Sequence, residues 1–191
     1  IDFELPISPS RLFITDEPYQ WVEIACGYNR QTTLSPLHAA MISAAIVNGG
    51  QMIEPTIIDR IIDENGRPLY QRETTPMRQA ITAGAALKMI PLMRATITSG
   101  TGRKIFRGYA KDKILSRLNI GGKSGSIDNK THVARFVWFV GFAMEKKGNK
   151  NIIISVMVAH EKYIGTRAGT YARMAIKEYF GNYFAKKDKE A

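Results

Sequence analysis

Cysteine is nearly absent from this chain: Cys26 is the only one in 191 residues. No intrachain disulfide can form, and cysteine usage leaves the compartment open. A catalytic thiol would need a base, and no local signature supplies one, so Cys26 is expected to be a small buried or half-buried residue beside Gly27. Long hydrophobic runs are missing as well. No apolar stretch approaches the roughly 18 residues that cross a membrane, and no signal-peptide pattern is present. The chain begins at Ile1 rather than at methionine, as a processed or excised segment would. Zinc-type Cys/His spacings, internal repeats and low-complexity linkers are lacking, and neither a metal nor a cofactor is expected. Acidic residues are the scarcer sign, 17 against 27 Lys and Arg, for a net charge of +10. The basic residues are scattered, clustering only at Lys146-Lys147-Lys150 and Lys186-Lys187-Asp188-Lys189. With no basic amphipathic helix or RNA-binding signature, a solvated basic surface is expected rather than a nucleic-acid partner.

What is present is an ordinary globular balance, 45% apolar and 23% charged, long enough for one domain or most of one. The most informative stretch is Gly121-Gly122-Lys123-Ser124-Gly125-Ser126. A polar turn, 128–132, follows it. Then come two apolar runs, 136–143 and 151–158, separated by a Lys/Gly/Asn turn. The pattern reads as an antiparallel meander with a lysine, a small hydroxyl residue and a glycine at its head. The Gly-Lys-Ser ending also occurs in phosphate-binding loops, but those need a glycine five residues before Gly122, where Arg117 stands. They also need a helix to start at the Lys-Ser, and a β-rich stretch follows instead.

Residues 1–20 carry Pro6, Pro9 and Pro18 without a clear period and are expected to be an irregular lead-in. Ser35-Pro36 is a helix start, with Ser as N-cap and Pro at the first helical position. Leu37, Ala40, Met41, Ala44 and Val47 recur at helical spacing until Asn48-Gly49-Gly50 stops them. Its small residues favour close packing. Residues 52–62 are β-like and return through the Asn65-Gly66 turn into 69–72 as a hairpin. A second helix is expected over 83–98, ending at Ser99-Gly100-Thr101-Gly102. Three strands are expected at about 119–127, 133–143 and 151–159, packed against a last helix at 170–184. Ala172, Ala175, Ile176, Tyr179, Phe180 and Tyr183 form that helix's apolar stripe. The domain proper is read as residues 21–184, with a disordered basic tail at 185–191.

Together these landmarks resemble the C-terminal portion of a penicillin-binding protein transpeptidase domain, in the serine β-lactamase-like superfamily. Lys123-Ser124-Gly125 resembles that family's Lys-[Thr/Ser]-Gly triplet. Trp138-Phe139-Val140-Gly141-Phe142 resembles the strand that follows it. Thr33 to Ala40 with Asn48-Gly49-Gly50 resembles its T-P-L-Q-x-A…N-G-G helix, with His38 where Gln is usual. Gly100-Thr101-Gly102 resembles its G-T-G. The landmarks occur in the right order over most of residues 24–184. The resemblance implies an α+β fold, the C-terminal part of a transpeptidase-like domain with an antiparallel sheet and packed helices. It implies an extracytoplasmic location with the anchor outside this segment. The family's nucleophile motif Ser-x-x-Lys and its Ser-x-Asn are both absent: no serine here has lysine three residues on or asparagine two residues on. The family places both upstream of everything seen here, so the chain alone is not expected to be active.

The implied partners are peptidoglycan stem peptides ending in D-alanyl-D-alanine and β-lactams, each with a carboxylate close to its scissile carbonyl. Lys123 would supply a positive field and Ser124 a directed donor, with charge-assisted bonds worth roughly 1.5–3 kcal/mol. Gly125 would let the ligand approach without a Cβ in the way. By resemblance, the backbone N–H of Ser126 would be one of two oxyanion-hole donors. A non-catalytic relative that binds a peptide or a protein is the alternative reading. Other candidates point to plainer roles: His132 to a solvated turn, His160 with Glu161 to a surface pair, and Trp138 with its aromatic neighbours to core. The domain's missing N-terminal part normally pairs beside the last strand. That strand's edge is therefore expected to be covered by another element or copy, and otherwise to invite self-association.

Overall fold

The computed structural model describes residues 3–29, 31–73, 76–129 and 133–190. Its centre is a three-stranded antiparallel sheet of β5 (Leu118–Asp128), β6 (Arg135–Glu145) and β7 (Asn151–His160), in that order. The meander in the sequence is therefore a real one, each strand within a few residues of its expected bounds. β5 and β6 pair without a register shift from Leu118↔Glu145 to Asp128↔Arg135. The turn between them includes Lys130, Thr131 and His132, which lie outside the described residues.

A period of two assigns the strand side chains to opposite faces. Ile152, Ile154, Val156 and Val158 join one apolar cluster, while Ile153 joins another with Ile46, Met93 and Phe142. The first face is covered by α4 (Ala168–Glu190), which packs on β6 and β7. Ala168, Ala172, Ile176, Phe180 and Phe184 recur every fourth residue and are all buried, so one stripe of α4 lies flat on the sheet. Tyr179 is not part of that stripe. It is exposed, with Lys150 Nζ 5.8 Å from its ring centroid, and Tyr183 is only half-buried.

The second face is covered by α2 (Pro36–Val47), which contacts β6 and β7 and also α3 (Ala83–Thr98). α2 starts as its sequence requires, with the Ser35 side chain accepting from the His38 N–H. It is apolar on all sides rather than along one stripe, because it is packed between the sheet, α3 and β1 (Gln51–Ile53). α3 is capped by the Thr82 side chain, which accepts from the Ala85 N–H. It runs the full expected span in spite of Pro91, and it lies against β5.

Two small ribbons complete the fold. β2 (Arg60–Ile62) and β3 (Pro68–Gln71) form the hairpin predicted from Asn65-Gly66, every strand residue of it exposed. The Asp63 carboxylate closes its loop by accepting from the N–H groups of Asn65 and Arg67. β1 pairs with β4 (Pro76–Gln79), so the expected continuous β-stretch from 52 to 62 is split between two ribbons.

Several expectations are corrected. The lead-in is irregular only as far as α1 (Pro18–Cys26), which starts on its proline and stops at Gly27. Cys26, at the end of α1, is exposed rather than buried. The basic tail is not disordered through Glu190: α4 continues through it, because distant partners hold it. Lys187 Nζ is 2.6 Å from Glu145 Oε1, and the Tyr183 hydroxyl donates to the same carboxylate. Arg117 makes a bidentate pair with Asp188 at 2.7 and 2.9 Å while stacking on the Phe184 ring. His160 is not in a surface pair but turned inward. Its Nδ1 accepts from the Gly165 N–H, and its buried Nε2 has no hydrogen-bond partner among the described residues.

Candidate functional site

The fold brings Lys123, Ser124, Gly125 and Ser126 together on one rim of the central sheet. β5 is an edge strand, and among the described residues no other strand pairs on its outer side. Opposite the four residues on β6 stand Val140, Phe139, Trp138 and Val137 in turn. This local course of the chain depends on the two preceding glycines. A Cβ at Gly122 would lie 2.5 Å from Cζ of Phe139, and one at Gly121 would overlap the ring of Phe142. The two rings belong to the clusters on opposite faces of the sheet. The glycines thus let β5 press onto both cores, which fixes the strand just before Lys123.

Lys123 is exposed, and its Nζ donates to the carbonyl oxygen of Ser124 at 2.6 Å. None of the ion pairs among the described residues involves it. The nearest carboxylate along the strand, Asp128, is paired with Arg135 at 3.5 Å. No carboxylate among the described residues is therefore paired with the ammonium at the rim. Ser124 is half-buried and Ser126 exposed. Gly125 stands across from Trp138, whose Cβ is 3.7 Å from the position a Cβ would take at Gly125. Trp138 is half-buried and belongs to none of the three apolar clusters, so it is not core as expected, whereas Phe139 and Phe142 are.

The sequence marked Thr101 only as part of the Gly100-Thr101-Gly102 landmark and not as a site residue, yet the structure brings it to this rim. Its hydroxyl lies 2.6 Å from the hydroxyl of Ser124, joining the loop after α3 to β5. The signals in the sequence were a hydroxyl residue between two glycines directly after a helix and the resemblance of that triplet to the family's G-T-G.

Two concavities lie away from this rim. One of about 400 Å³ is lined by Phe3, Glu54, Tyr70 and Arg72 among others, with Glu4 and Glu73 adding acidic groups. Three glutamates make it a poor host for an anion. An apolar groove between α2 and α3 is lined by Ile46, Leu87 and Ile90. Neither includes Lys123, Ser124 or Ser126. Among the described residues no group of three or more His, Cys, Asp or Glu could hold a metal ion. The titratable groups with perturbed pKa values lie away from the rim: Glu4 is lowered chiefly by its bond from the Thr56 hydroxyl, and the others are on α4 or paired with it. Asp112 is held down at about 2, chiefly by the Lys177 ammonium 2.6 Å away, with help from the N–H groups of Leu115 and Ile114. Glu145 is lowered chiefly by its bond from Lys187.

The arrangement suits an oxyanion: an unpaired ammonium, a hydroxyl and a glycine in succession on a free strand edge. Comparison with known proteins decides the family. The penicillin binding protein transpeptidase domain matches residues 13–179. The chain belongs to that family. Penicillin-binding protein 1A of Neisseria flavescens is 33% identical over 158 residues, 77% of this chain and 17% of the relative. Penicillin-binding protein 1B of Haemophilus influenzae is 29% identical over 109 residues, 57% of this chain and 12% of the relative. The chain thus spans less than a fifth of these relatives' length. Among solved structures, penicillin-binding protein A of M. tuberculosis, as an imipenem acyl-enzyme complex, superposes with a TM-score of 0.71 at 20% identity. That match covers 91% of this chain and 37% of the other. The D,D-transpeptidase domain of a peptidoglycan glycosyltransferase from Eggerthella lenta gives a TM-score of 0.60 at 19% identity, covering 83% and 35%. The α+β transpeptidase fold is therefore shared. No helix among the described residues is long and apolar enough to cross a membrane.

Proposed function

We propose that this chain is the C-terminal part of a peptidoglycan D,D-transpeptidase domain. It forms the Lys-Ser-Gly wall of a cleft for D-alanyl-D-alanine stem peptides and β-lactams. The observation that carries the reading is the exposed ammonium of Lys123, without a carboxylate partner, beside the Ser124 hydroxyl on the free edge of β5. Lys123 attracts the ligand carboxylate, and Ser124 donates to it. The N–H of Ser126 helps hold the oxyanion that develops on the attacked carbonyl.

The nucleophile is a serine in a Ser-x-x-Lys motif of the same polypeptide, upstream of this segment, since no serine here carries that spacing. That upstream part closes the open side of the β5 rim and supplies strands for the outer edge of β7, which no described strand pairs. The domain acts outside the cytoplasm on cell-wall peptides, held by an anchor elsewhere in the protein. With the edge of β7 left open, the isolated segment is prone to self-association.

Labelling with a fluorescent penicillin tests the reading. The full-length gene product forms a covalent adduct, and this segment alone forms none. In the full-length protein Lys123→Ala slows acylation about 10²-fold, the size of effect seen when one preorganised charge-stabilising group is lost. An adduct on the isolated segment, or an unchanged acylation rate in Lys123→Ala, would refute the assignment.

A further inference from the structure

We infer that Thr101 is a positioning residue that aims the Ser124 hydroxyl at the ligand carboxylate, an inference that rests on the function proposed for the β5 rim. The two hydroxyls lie 2.6 Å apart, so one donates and the other accepts. A hydroxyl has a single proton. If Ser124 donates to Thr101, it has no proton left for a ligand. If Thr101 donates to Ser124, the Ser124 proton is free to point outward. An anion at the rim accepts but cannot donate, and so selects the second arrangement. The result is a short chain from the Thr101 hydroxyl through the Ser124 hydroxyl to the carboxylate, in which each bond polarises the next.

Thr101 is held tightly enough for this. The Gly100 N–H donates to the Ala95 carbonyl at 2.8 Å, and the Gly102 N–H donates to the Thr96 carbonyl at the same distance. Both bonds cap the C-terminus of α3. A Cβ at Gly102 would lie 3.0 Å from the Thr96 carbonyl oxygen and 3.2 Å from Ile97, so this wrap has little room for a larger residue. The Phe106 N–H donates to the Gly102 carbonyl, and the fully buried Phe106 ring packs 5.8 Å from that of Phe139. Phe139 in turn stands opposite Ser124 in the β5–β6 register. Thr101 and Ser124 are therefore referenced to one buried ring pair. On the main-chain side, Lys123 Nζ occupies the Ser124 carbonyl oxygen. Thr101 is the one described side chain bonded to the Ser124 side-chain oxygen.

The test compares acylation of the full-length gene product by a penicillin and by its methyl ester, which keeps the shape and lacks the anion. Thr101→Val lowers the second-order acylation rate about tenfold for the penicillin, the loss of about one hydrogen bond. It leaves the ester within twofold. Thr101→Ser restores the rate. Combined with Ser124→Ala, Thr101→Val adds no further loss, because it acts only through Ser124. Equal losses on acid and ester, or additive losses in the double variant, would overturn the inference. The underlying assignment fails separately: Lys123→Ala would then acylate normally, and the wild-type protein would not prefer acid to ester. If Lys123→Ala is crippled and Thr101→Val is unaffected, only the role of Thr101 falls.

Discussion

α4 and α1 are both helices with aromatic residues, yet they relate to the rest of the protein in opposite ways. α4 buries five apolar residues at four-residue intervals on the central sheet. α1 buries none. Its Tyr19 and Trp21 are 76% and 53% exposed, and Leu12, Phe13 and Ile14 just before it are exposed as well. The difference teaches that α4 finds its cover within this segment, on the first face of the central sheet. The N-terminal stretch carries apolar surface that this segment does not itself cover. Exposed apolar residues grouped in this way mark an interface more often than a free surface.

Breaking the packing of α4 on the sheet should have the largest effect. Phe180 is fully buried, with ring centroids of Tyr179, Tyr183 and Phe184 within 5.9 Å. Phe180→Ala should cost about 3–5 kcal/mol in urea unfolding. A loss below about 1 kcal/mol would mean that α4 does not anchor the fold.

The ionic clamp of α4 should come next. Asp112 titrates near 2 in the folded protein, against an ordinary value of 3.8. A carboxylate lowered on folding contributes stability that is fully present above its unfolded value and is lost as the pH falls through the folded one. Stability should therefore drop between about pH 4 and pH 2, by about 1–2 kcal/mol for this group once the half-exposed Lys177 is allowed for. Asp112→Asn should flatten that part of the pH–stability curve. An unaltered slope would detach Asp112 from the clamp.

The smallest effect belongs to α1. Trp21→Ala should change the stability of this segment by no more than about 0.5 kcal/mol. The same substitution in the full-length gene product should cost more if its upstream part covers this surface. Equal effects in both would remove the contrast between the two helices.

Much of the architecture could be read from local chemistry. The Ser35 cap, the first-turn Pro36 and the Asn48-Gly49-Gly50 stop mark α2, and the alternation of apolar residues marks β6 and β7. These signals act within a few residues and survive any tertiary setting. Several of the readings that failed depended on distant partners. α4 extends to Glu190 because Glu145 and Arg117, more than 40 residues earlier, meet Lys187 and Asp188. His160 turns inward under the Gly165 loop, and Tyr179 falls one position off the buried stripe. At the candidate site the sequence marked Lys123 to Ser126 and the Gly100-Thr101-Gly102 landmark but not the contact between Thr101 and Ser124, 23 residues apart.

The sequence by itself determined the order of the central strands and of α2, α3 and α4, the motif on β5 and the family it points to, because capping, periodicity and motif spacing are properties of neighbouring residues. Only the tertiary structure decided that the Lys123 ammonium stands without a carboxylate on a free strand edge. It alone joined Thr101 to Ser124 and left α1 without cover. Charge pairing, burial and hydroxyl contacts are set by which distant segments pack together, and no local stretch of chain contains that information.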